Sequence, residues 1–192
     1  MRDGKARVPT PAELDRLFKL ESLNPRNYAM LMISYGCGLR VSEIASLDLG
    51  HVLNEDGTII TAFSLLKENT KTKKAREVYL SNVNVVKALE EYVAHLRSKG
   101  DVDLADPLFM SYRGARFHAN SLQQVFAWMY ERAGLKGCRS HSGRRTFATR
   151  LGQANVDIKS IQNLMGHESI QQTATYIDTS PDVLKKVVAK II

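Results

Sequence analysis

Two arginines, two histidines and one tyrosine stand in an order and spacing that suit phosphate chemistry. In chain order they are Arg40, His141, Arg144, His167 and Tyr176. An arginine fork binds two phosphate oxygens and stays protonated, and a histidine can accept or donate a proton near neutral pH. A tyrosine hydroxyl can act as a nucleophile. These residue types together could cleave a phosphodiester bond without a metal ion.

The two arginines are the candidates for binding the phosphate. Cleavage without a metal requires cations that offset the charge on the non-bridging oxygens, and we expect Arg40 and Arg144 to supply them. His141 and Arg144 are three residues apart on a predicted helix, so both can reach one phosphate. His167 follows Gly166, a predicted helix C-cap, which would place its ring at a turn near the same site.

Tyr176 is the candidate nucleophile. A phenol keeps its proton at neutral pH, so its attack needs nearby cations and a group that accepts the proton. The tyrosine follows His167 by nine residues.

These motifs, taken in order, resemble the tyrosine recombinase (phage integrase) family. The segments that carry the resemblance are YGCGLRVSE at 35–43, HSGRRTFAT at 141–149, and LMGH at 164–167 with a tyrosine nine residues after its histidine. The resemblance extends from about Thr10 to the C-terminus. One such motif would say little, whereas all of them at these spacings are specific.

The resemblance implies a fold, a reaction and roles for single residues. The fold would be mainly α with a small antiparallel β-insert. The reaction would be site-specific recombination of double-stranded DNA through a 3′-phosphotyrosyl intermediate, with no metal or other cofactor. His141 would act as the base or as a positioning group, and His167 would contact the phosphate. Glu43, three residues after Arg40, would be the supporting acid that orients its neighbours.

A lysine-rich stretch at residues 67–76 is predicted to form the mobile, positively charged tip of a β-hairpin. The family uses a hairpin lysine to protonate the departing 5′ oxygen of the DNA. Lys71 matches that role best, and Lys73 is the alternative. We also expect Lys73, Lys74 and Arg145 to contact DNA.

Composition agrees with a polyanionic partner. The 192 residues carry a net charge of +7, and Lys and Arg that neutralise phosphates release condensed counterions. Cys37 and Cys138 form no disulfide or metal-binding pattern, which is typical of a reduced compartment. The N-terminus lacks the apolar core of a signal peptide, and no apolar run approaches the ~20 residues of a membrane span. We therefore expect a cytoplasmic protein.

The elements that must position these residues follow from caps and periodicity. Thr10, Pro11 and Glu13 form a capping-box pattern at the start of a helix, and two glycines at 36 and 38 end the next one. Strands are predicted at 58–63 and 77–80. Helices are predicted from near residues 11, 25 and 41, and at 82–99, 120–133, 141–153, 157–165 and 169–177.

The domain organisation predicted from this pattern has three parts. They are a loose segment at 1–9, a catalytic domain at 10–180 and a C-terminal helix at 181–192. That last helix carries an apolar stripe, which either packs on its own domain or, as the resemblance implies, docks on a neighbouring protomer. We expect weak self-association in solution and a tetramer on paired DNA sites. The stripe consists of Val183, Leu184, Val187, Val188 and Ile191.

Two features depart from the family pattern. Gly143 stands where the family usually has a larger apolar residue, and a helical glycine costs roughly 1 kcal/mol relative to alanine, so a less rigid turn is expected there. The family also usually has a separate N-terminal helical domain, whereas only about ten residues precede the first helix here. The chain is either a fragment or a minimal integrase.

Three other functions fit the sequence less well. A type IB topoisomerase shares the chemistry but relaxes supercoils, and the Gly-His before the tyrosine favours a recombinase. A DNA-binding module without catalysis would not need the full residue set. A metal-dependent nuclease would need a cluster of acidic residues, and none in the sequence resembles a two-metal site.

Overall fold

The computed structural model describes residues 6–65, 75–176 and 188–189, and this part of the chain is mainly helical with one small sheet. The prediction of a mainly α fold with an antiparallel β-insert is confirmed. Strands β1 (Ala62–Leu65) and β2 (Arg76–Tyr79) pair antiparallel, with Phe63 opposite Val78. The helices are α1 (Pro11–Glu21), α2 (Pro25–Gly36), α3 (Val41–Ala45), α4 (Val83–Arg97), α5 (Ala119–Arg132), α6 (Ser142–Gln153), α7 (Ile158–Met165) and α8 (Ile170–Ala174).

Side-chain caps set several of the helix starts. The Glu13 backbone N–H donates to Thr10 Oγ1 at 3.3 Å, and Glu13 Oε2 accepts from the Thr10 backbone N–H at 2.8 Å, so the predicted capping box is present. Asn24 caps α2, Asn82 caps α4 and Asp157 caps α7 in the same way, through a side-chain oxygen.

The first strand begins later than predicted. Residues 54–58 form a turn, in which the Asn54 N–H donates to the Thr58 carbonyl at 2.9 Å and the Thr58 N–H donates to Asp56 Oδ1 at 2.9 Å. After this turn Ile59 forms an antiparallel bridge with Leu53, and the Ile60 N–H donates to the Val52 carbonyl at 2.9 Å. The regular strand that pairs with β2 begins only at Ala62, so the predicted span 58–63 is wrong in its first four residues.

Helix α2 lies at the centre of the main core. It contacts α1, α4 and α6, and its residues are buried around nearly the whole circumference rather than along one stripe. A helix that is apolar on all sides is typical of a central position. A second, smaller core forms between α6 and α7 and contacts Tyr176; its fully buried members are Ala148, Ile161 and Met165.

Residues 6–9 of the segment that the sequence predicted as loose are held by several contacts, and residues 1–5 of that segment lie outside the described residues. The Arg7 guanidinium donates to both carboxylate oxygens of Glu13 at 2.8 and 2.9 Å and to the Lys136 carbonyl at 2.9 Å. Arg145 Nη1 donates to the Ala6 carbonyl at 2.7 Å. These bonds tie the segment before α1 to α6 and to the turn that precedes α6.

None of the helices in the described part of the chain combines the length and the apolar composition that a membrane crossing requires.

Candidate active site

The glycine turn after α2 brings two of the predicted arginines together. Gly38 has φ +67°, and a Cβ at this position would lie 2.4 Å from Phe147 Cδ1. Only glycine allows both the left-handed backbone and this close approach to α6. The Gly38 carbonyl accepts a hydrogen bond from Arg144 Nη1 at 2.7 Å, and Arg40 follows two residues later.

Arg144 is buried and fixed by backbone carbonyls. Its side chain is 4% exposed, and Nη2 donates to the Met165 carbonyl at the end of α7. Burial lowers the pKa of Arg144 to about 9, and the positive charge of Arg40 acts in the same direction. The guanidinium still carries its charge at neutral pH, since that pKa lies well above 7.

Glu43 is the centre around which three arginines are arranged. Its carboxylate is fully buried and accepts from Arg40 Nη1 and from Arg76 Nη2, both at 2.7 Å, while Arg144 Nη1 lies 4.0 Å away. Burial alone would raise the pKa of Glu43, but the charges of Arg76 and Arg144 outweigh it, so the pKa is lowered overall. The ionised carboxylate offsets the repulsion between the guanidiniums. Arg40, Glu43, Arg76 and Arg144 are called the arginine cluster below.

Arg76 is a member of this cluster that the sequence analysis missed. It was counted with the exposed hairpin tip, which is wrong for this residue because it is 8% exposed. Arg76 Nη1 donates to the Leu164 carbonyl at 2.9 Å, so the side chain joins β2 to the end of α7. In β2 the buried residues Arg76 and Val78 alternate with exposed ones, and this period of two is the signal that could have found it.

The C-terminus of α7 presents His167 to the arginine cluster. Gly166 ends the helix with φ 59° and ψ 45°, as predicted, and a Cβ there would lie 2.6 Å from Arg76 Cδ. His167 is 9% exposed, and its Nδ1 lies 2.9 Å from Thr173 Oγ1. Burial, together with the nearby charges of Arg144 and Arg40, lowers the pKa of His167 to about 4. The imidazole is therefore neutral at neutral pH.

Tyr176 stacks on His167. The ring centroids are 5.7 Å apart with an interplanar angle of 20°. The Tyr176 backbone N–H donates to the Thr173 carbonyl at 3.0 Å, so the short helix α8 folds the tyrosine back onto the histidine that precedes it in sequence. The side chain also packs on the small core between α6 and α7.

His141 and Arg40 line the same cleft, which has a volume of about 490 Å³. His141 is exposed and occupies the N-cap position of α6, and the Arg145 N–H donates to its carbonyl at 2.9 Å as in a helix. His141 therefore lies at the start of α6, one turn before Arg144. The cleft is also lined by Val41, Ser42, Gln123, Glu168 and Gln172.

Comparison with known protein families identifies the family of this chain. The sequence model of the phage integrase family matches residues 9–182. The chain belongs to the phage integrase family. The resemblance inferred from the motifs is thereby confirmed.

Individual members of the family match over most of this chain. It is 32% identical over 192 residues to tyrosine recombinase XerC of Pelobacter propionicus, with 96% of this chain and 60% of that protein covered. The identity to XerC of Anoxybacillus flavithermus is 31% over 186 residues, with 92% and 59% covered. The chain thus spans about three fifths of the length of these relatives.

Solved structures share the fold. A crystal structure of XerA recombinase matches with a TM-score of 0.77 and 26% identity, over 98% of this chain and 64% of that one. The Tn1549 transposon integrase, solved in complex with transposon right end DNA, matches with a TM-score of 0.75 and 21% identity, over 97% and 66%. At that identity the second match bears on the fold alone.

The departure from the family pattern at Gly143 has a packing reason. A Cβ on Gly143 would lie 2.2 Å from Ser34 Oγ and 3.0 Å from Tyr35 Cδ2. The glycine therefore lets α6 approach α2 closely, which the expectation of a less rigid turn did not consider.

The remaining predicted contacts with DNA stay predictions. Lys71, Lys73 and Lys74 lie outside the described residues. Arg145 is partly buried and uses one nitrogen to hold the Ala6 carbonyl. Among residues 6–65 and 75–176, no three His, Cys, Asp or Glu side chains are grouped as a metal ion would require.

Proposed function

We propose that this chain is the catalytic domain of a site-specific DNA recombinase. Tyr176 attacks a DNA phosphate held by Arg40 and Arg144 and becomes joined to the 3′ end of the cut strand. The observation that carries this proposal is the arginine cluster beside Tyr176. Three guanidiniums against one carboxylate leave two positive charges in a largely buried site, which suits a phosphate that gains negative charge in the transition state.

The reaction divides into two transesterifications. In the first, the Tyr176 oxygen forms a bond to phosphorus, its proton passes to His141 acting as base, and the 5′ oxygen of the DNA departs. Lys71 gives that oxygen a proton, with Lys73 as the alternative. In the second, a 5′ hydroxyl from another strand attacks the phosphotyrosyl bond and releases the tyrosine. One phosphoester replaces another at each step, so no high-energy cofactor is consumed.

Double-stranded DNA is the proposed partner. The net charge of +7 favours a polyanion. Proteins of the same fold have been solved with DNA: the Tn1549 integrase with transposon right end DNA, and XerH with a palindromic difH substrate in a post-cleavage complex. Phosphate contacts by the arginines would supply affinity without selecting a sequence.

Assembly on paired sites, as a tetramer, is part of the proposal. Residues 181–192 are proposed to dock on a neighbouring protomer, and Val188, one residue of their apolar stripe, is 67% exposed in the described part of the chain. Because this segment follows Tyr176 closely, docking would couple assembly to the position of the nucleophile. A single short helix buries little area, so association without DNA should be weak.

The experiment begins by finding the DNA site. The 192-residue chain is incubated in EDTA with a library of nicked duplexes of random sequence, and DNA that stays bound to protein in SDS is recovered and sequenced. Two copies of the recovered sequence are then placed as direct repeats on a supercoiled plasmid. The products are separated into recombinants, relaxed topoisomers and unchanged plasmid.

Each product separates one function from another. A recombinase yields circles that have lost the segment between the repeats, and Tyr176→Phe yields none. Relaxed plasmid without recombinants would favour a type IB topoisomerase. If no DNA stays bound in SDS, but the same library gives a specific sequence when bound DNA is recovered without SDS, the chain is a DNA-binding module and the proposal is contradicted.

A further inference from the structure

Thr173 presents a buried hydroxyl to the ring of His167. The residue is fully buried in α8, and its Oγ1 lies 2.9 Å from His167 Nδ1. Which of the two atoms carries the hydrogen decides what the other ring nitrogen, Nε2, can offer to a ligand. A neutral imidazole has one N–H, and the remaining nitrogen is an acceptor.

A threonine within α6 and the threonine that ends α8 show where such a hydroxyl usually points. Thr146 Oγ1 donates to the Ser142 carbonyl at 2.8 Å, and Thr175 Oγ1 donates to the Gln172 carbonyl at 2.9 Å. This bond to the preceding turn is common for helical threonines. In the described part of the chain Thr173 makes no such bond, so His167 Nδ1 is the acceptor that remains for its hydrogen.

Burial makes this direction of donation decisive. A buried hydroxyl hydrogen without an acceptor costs free energy that an exposed one recovers from water. His167 is neutral, because burial and the neighbouring arginines lower its pKa to about 4. A neutral ring whose Nδ1 accepts from Thr173 carries its proton on Nε2.

The opposite arrangement would suit the site less well. If Nδ1 donated to Thr173, the threonine hydrogen would lack an acceptor among the described residues. Nε2 would then present a lone pair, which repels a phosphate oxygen. Both consequences are unfavourable in a buried site whose arginines are arranged to bind an anion.

We propose that Thr173 fixes His167 as the Nε2–H tautomer, so that Nε2 donates a hydrogen bond to a non-bridging phosphate oxygen of the DNA. Thr173 is a positioning residue, because it acts through His167 and touches no substrate atom. The assignment of the phosphate rests on the proposed function, whereas the tautomer does not.

The same threonine also holds the nucleophile. Its carbonyl accepts from the Tyr176 N–H at 3.0 Å, while its hydroxyl binds the histidine on which Tyr176 stacks. A shift of Thr173 therefore moves the phosphate donor and the attacking group together. His167 with its proton on Nε2 is a donor and not the base for Tyr176, which leaves that role to His141.

The tautomer is measured directly on the whole chain without DNA. Long-range proton–nitrogen spectra of protein labelled with nitrogen-15 in its histidines distinguish a protonated ring nitrogen from an unprotonated one. The chain has five histidines, so the His167 signals are assigned by their loss in His167→Gln. The proposal expects a protonated Nε2 and an unprotonated Nδ1 at pH 7, and the reverse pattern overturns it.

Three threonine variants connect the tautomer to the reaction. Thr173→Val removes the hydroxyl at nearly constant volume. Formation of the covalent adduct, measured on nicked duplexes recovered from the random library, should slow on the order of 10- to 100-fold. Loss of other groups that orient an imidazole has an effect of this size. Thr173→Ser keeps the donor and should stay close to wild type. Thr175→Val removes a hydroxyl two residues away that bonds only to the backbone, and is the matched control.

The outcomes separate this inference from the proposed function. Slow cleavage in Thr173→Val with an unchanged melting temperature, rescue by serine and a changed His167 spectrum support it. Normal cleavage in Thr173→Val, or an unchanged tautomer there, overturns it. If Thr173→Val does not fold, the wild-type spectrum and Thr173→Ser decide. If wild-type protein forms no adduct, the proposed reaction fails, and the wild-type spectrum alone decides the tautomer.

Discussion

Arg76 Nη2 donates to Glu43 Oε2 at 2.7 Å, between two side chains that are 5% and 0% exposed. This contact joins β2 to α3, and the second nitrogen of Arg76 joins β2 to the end of α7. The elements that carry Arg40 and His167 are thus connected through one arginine. The predicted hairpin lysines lie in the segment just before it in sequence.

Arg76→Met should destabilise the folded chain by about 3 kcal/mol, because it leaves a buried carboxylate with one cation fewer and the Leu164 carbonyl without its donor. Arg76→Lys should recover little, since a lysine cannot reach both acceptors as a fork does. Urea denaturation measures both. The control is Lys87→Met, which removes the exposed pair with Glu91 and should change stability little. Equal losses of stability in Arg76→Met and Lys87→Met would show that the contact between Arg76 and Glu43 does not stabilise the fold.

Gly143→Ala should destabilise the chain by about 1–3 kcal/mol, because the new methyl group would lie 2.2 Å from Ser34 Oγ and force α6 away from α2. Ser34→Ala alone should be neutral or stabilising, since Ser34 Oγ is buried without a hydrogen-bond partner in the described chain. The double variant should be more stable than the sum of the two single effects predicts. Strict additivity in thermal denaturation would contradict the proposed close contact.

The lowered pKa of His167 predicts a specific dependence of stability on pH. Between its ordinary value of 6.5 and about 4, the unfolded chain binds a proton at this histidine that the folded chain does not. Stability should therefore fall as the pH is lowered from 6.5 towards 4. His167→Gln should show a shallower decline between pH 6.5 and 5, and the same slope as wild type above pH 7. Glu43, whose pKa is lowered, contributes mainly near and below its ordinary value of 4.5, and it is present in both proteins, so the comparison between pH 6.5 and 5 reports on the histidine. Identical slopes in both proteins would contradict the assignment.

Helix ends were predicted well where a residue close in sequence caps the helix. Thr10 and Glu13 set the start of α1, and Gly166 sets the end of α7, because a capping side chain or a left-handed glycine acts within a few residues. The start of β1 was missed because Ile59 and Ile60 are strand-like residues that pair with Val52 and Leu53 instead of with β2, and a local composition cannot tell one partner from the other.

Contacts between distant elements were the part that the sequence did not predict. Arg76 was hidden in a run of basic residues, although its alternation with exposed neighbours in β2 places it on the buried face. Thr173 carried no signal, since its role depends on a turn and a short helix folding back on His167. The sequence suggested only that Gly143 makes its turn less rigid, whereas the structure shows that a side chain at this position would collide with Ser34 of α2.

A substrate with a bridging 5′ sulfur tests the proton donor. A thiolate leaves without a proton, so Lys71→Ala should be slow on ordinary DNA and near wild type on the sulfur substrate. Single-turnover cleavage of nicked duplexes measures both rates. Rescue of Lys73→Ala instead would move the role two residues along the chain. Rescue of neither variant would remove both lysines from acid catalysis.

The covalent adduct with DNA tests the central claim most directly. Wild-type protein and a nicked duplex carrying the recovered site are incubated in EDTA, and the SDS-resistant product is digested with trypsin and nuclease for mass spectrometry. We expect a nucleotide phosphate attached to Tyr176, no adduct with Tyr176→Phe, and a normal adduct with the control Tyr112→Phe, which changes an exposed tyrosine. Binding of DNA by Tyr176→Phe should be nearly unchanged, since one hydroxyl is lost. An adduct that persists in Tyr176→Phe, or one that forms only with added magnesium, would contradict the account.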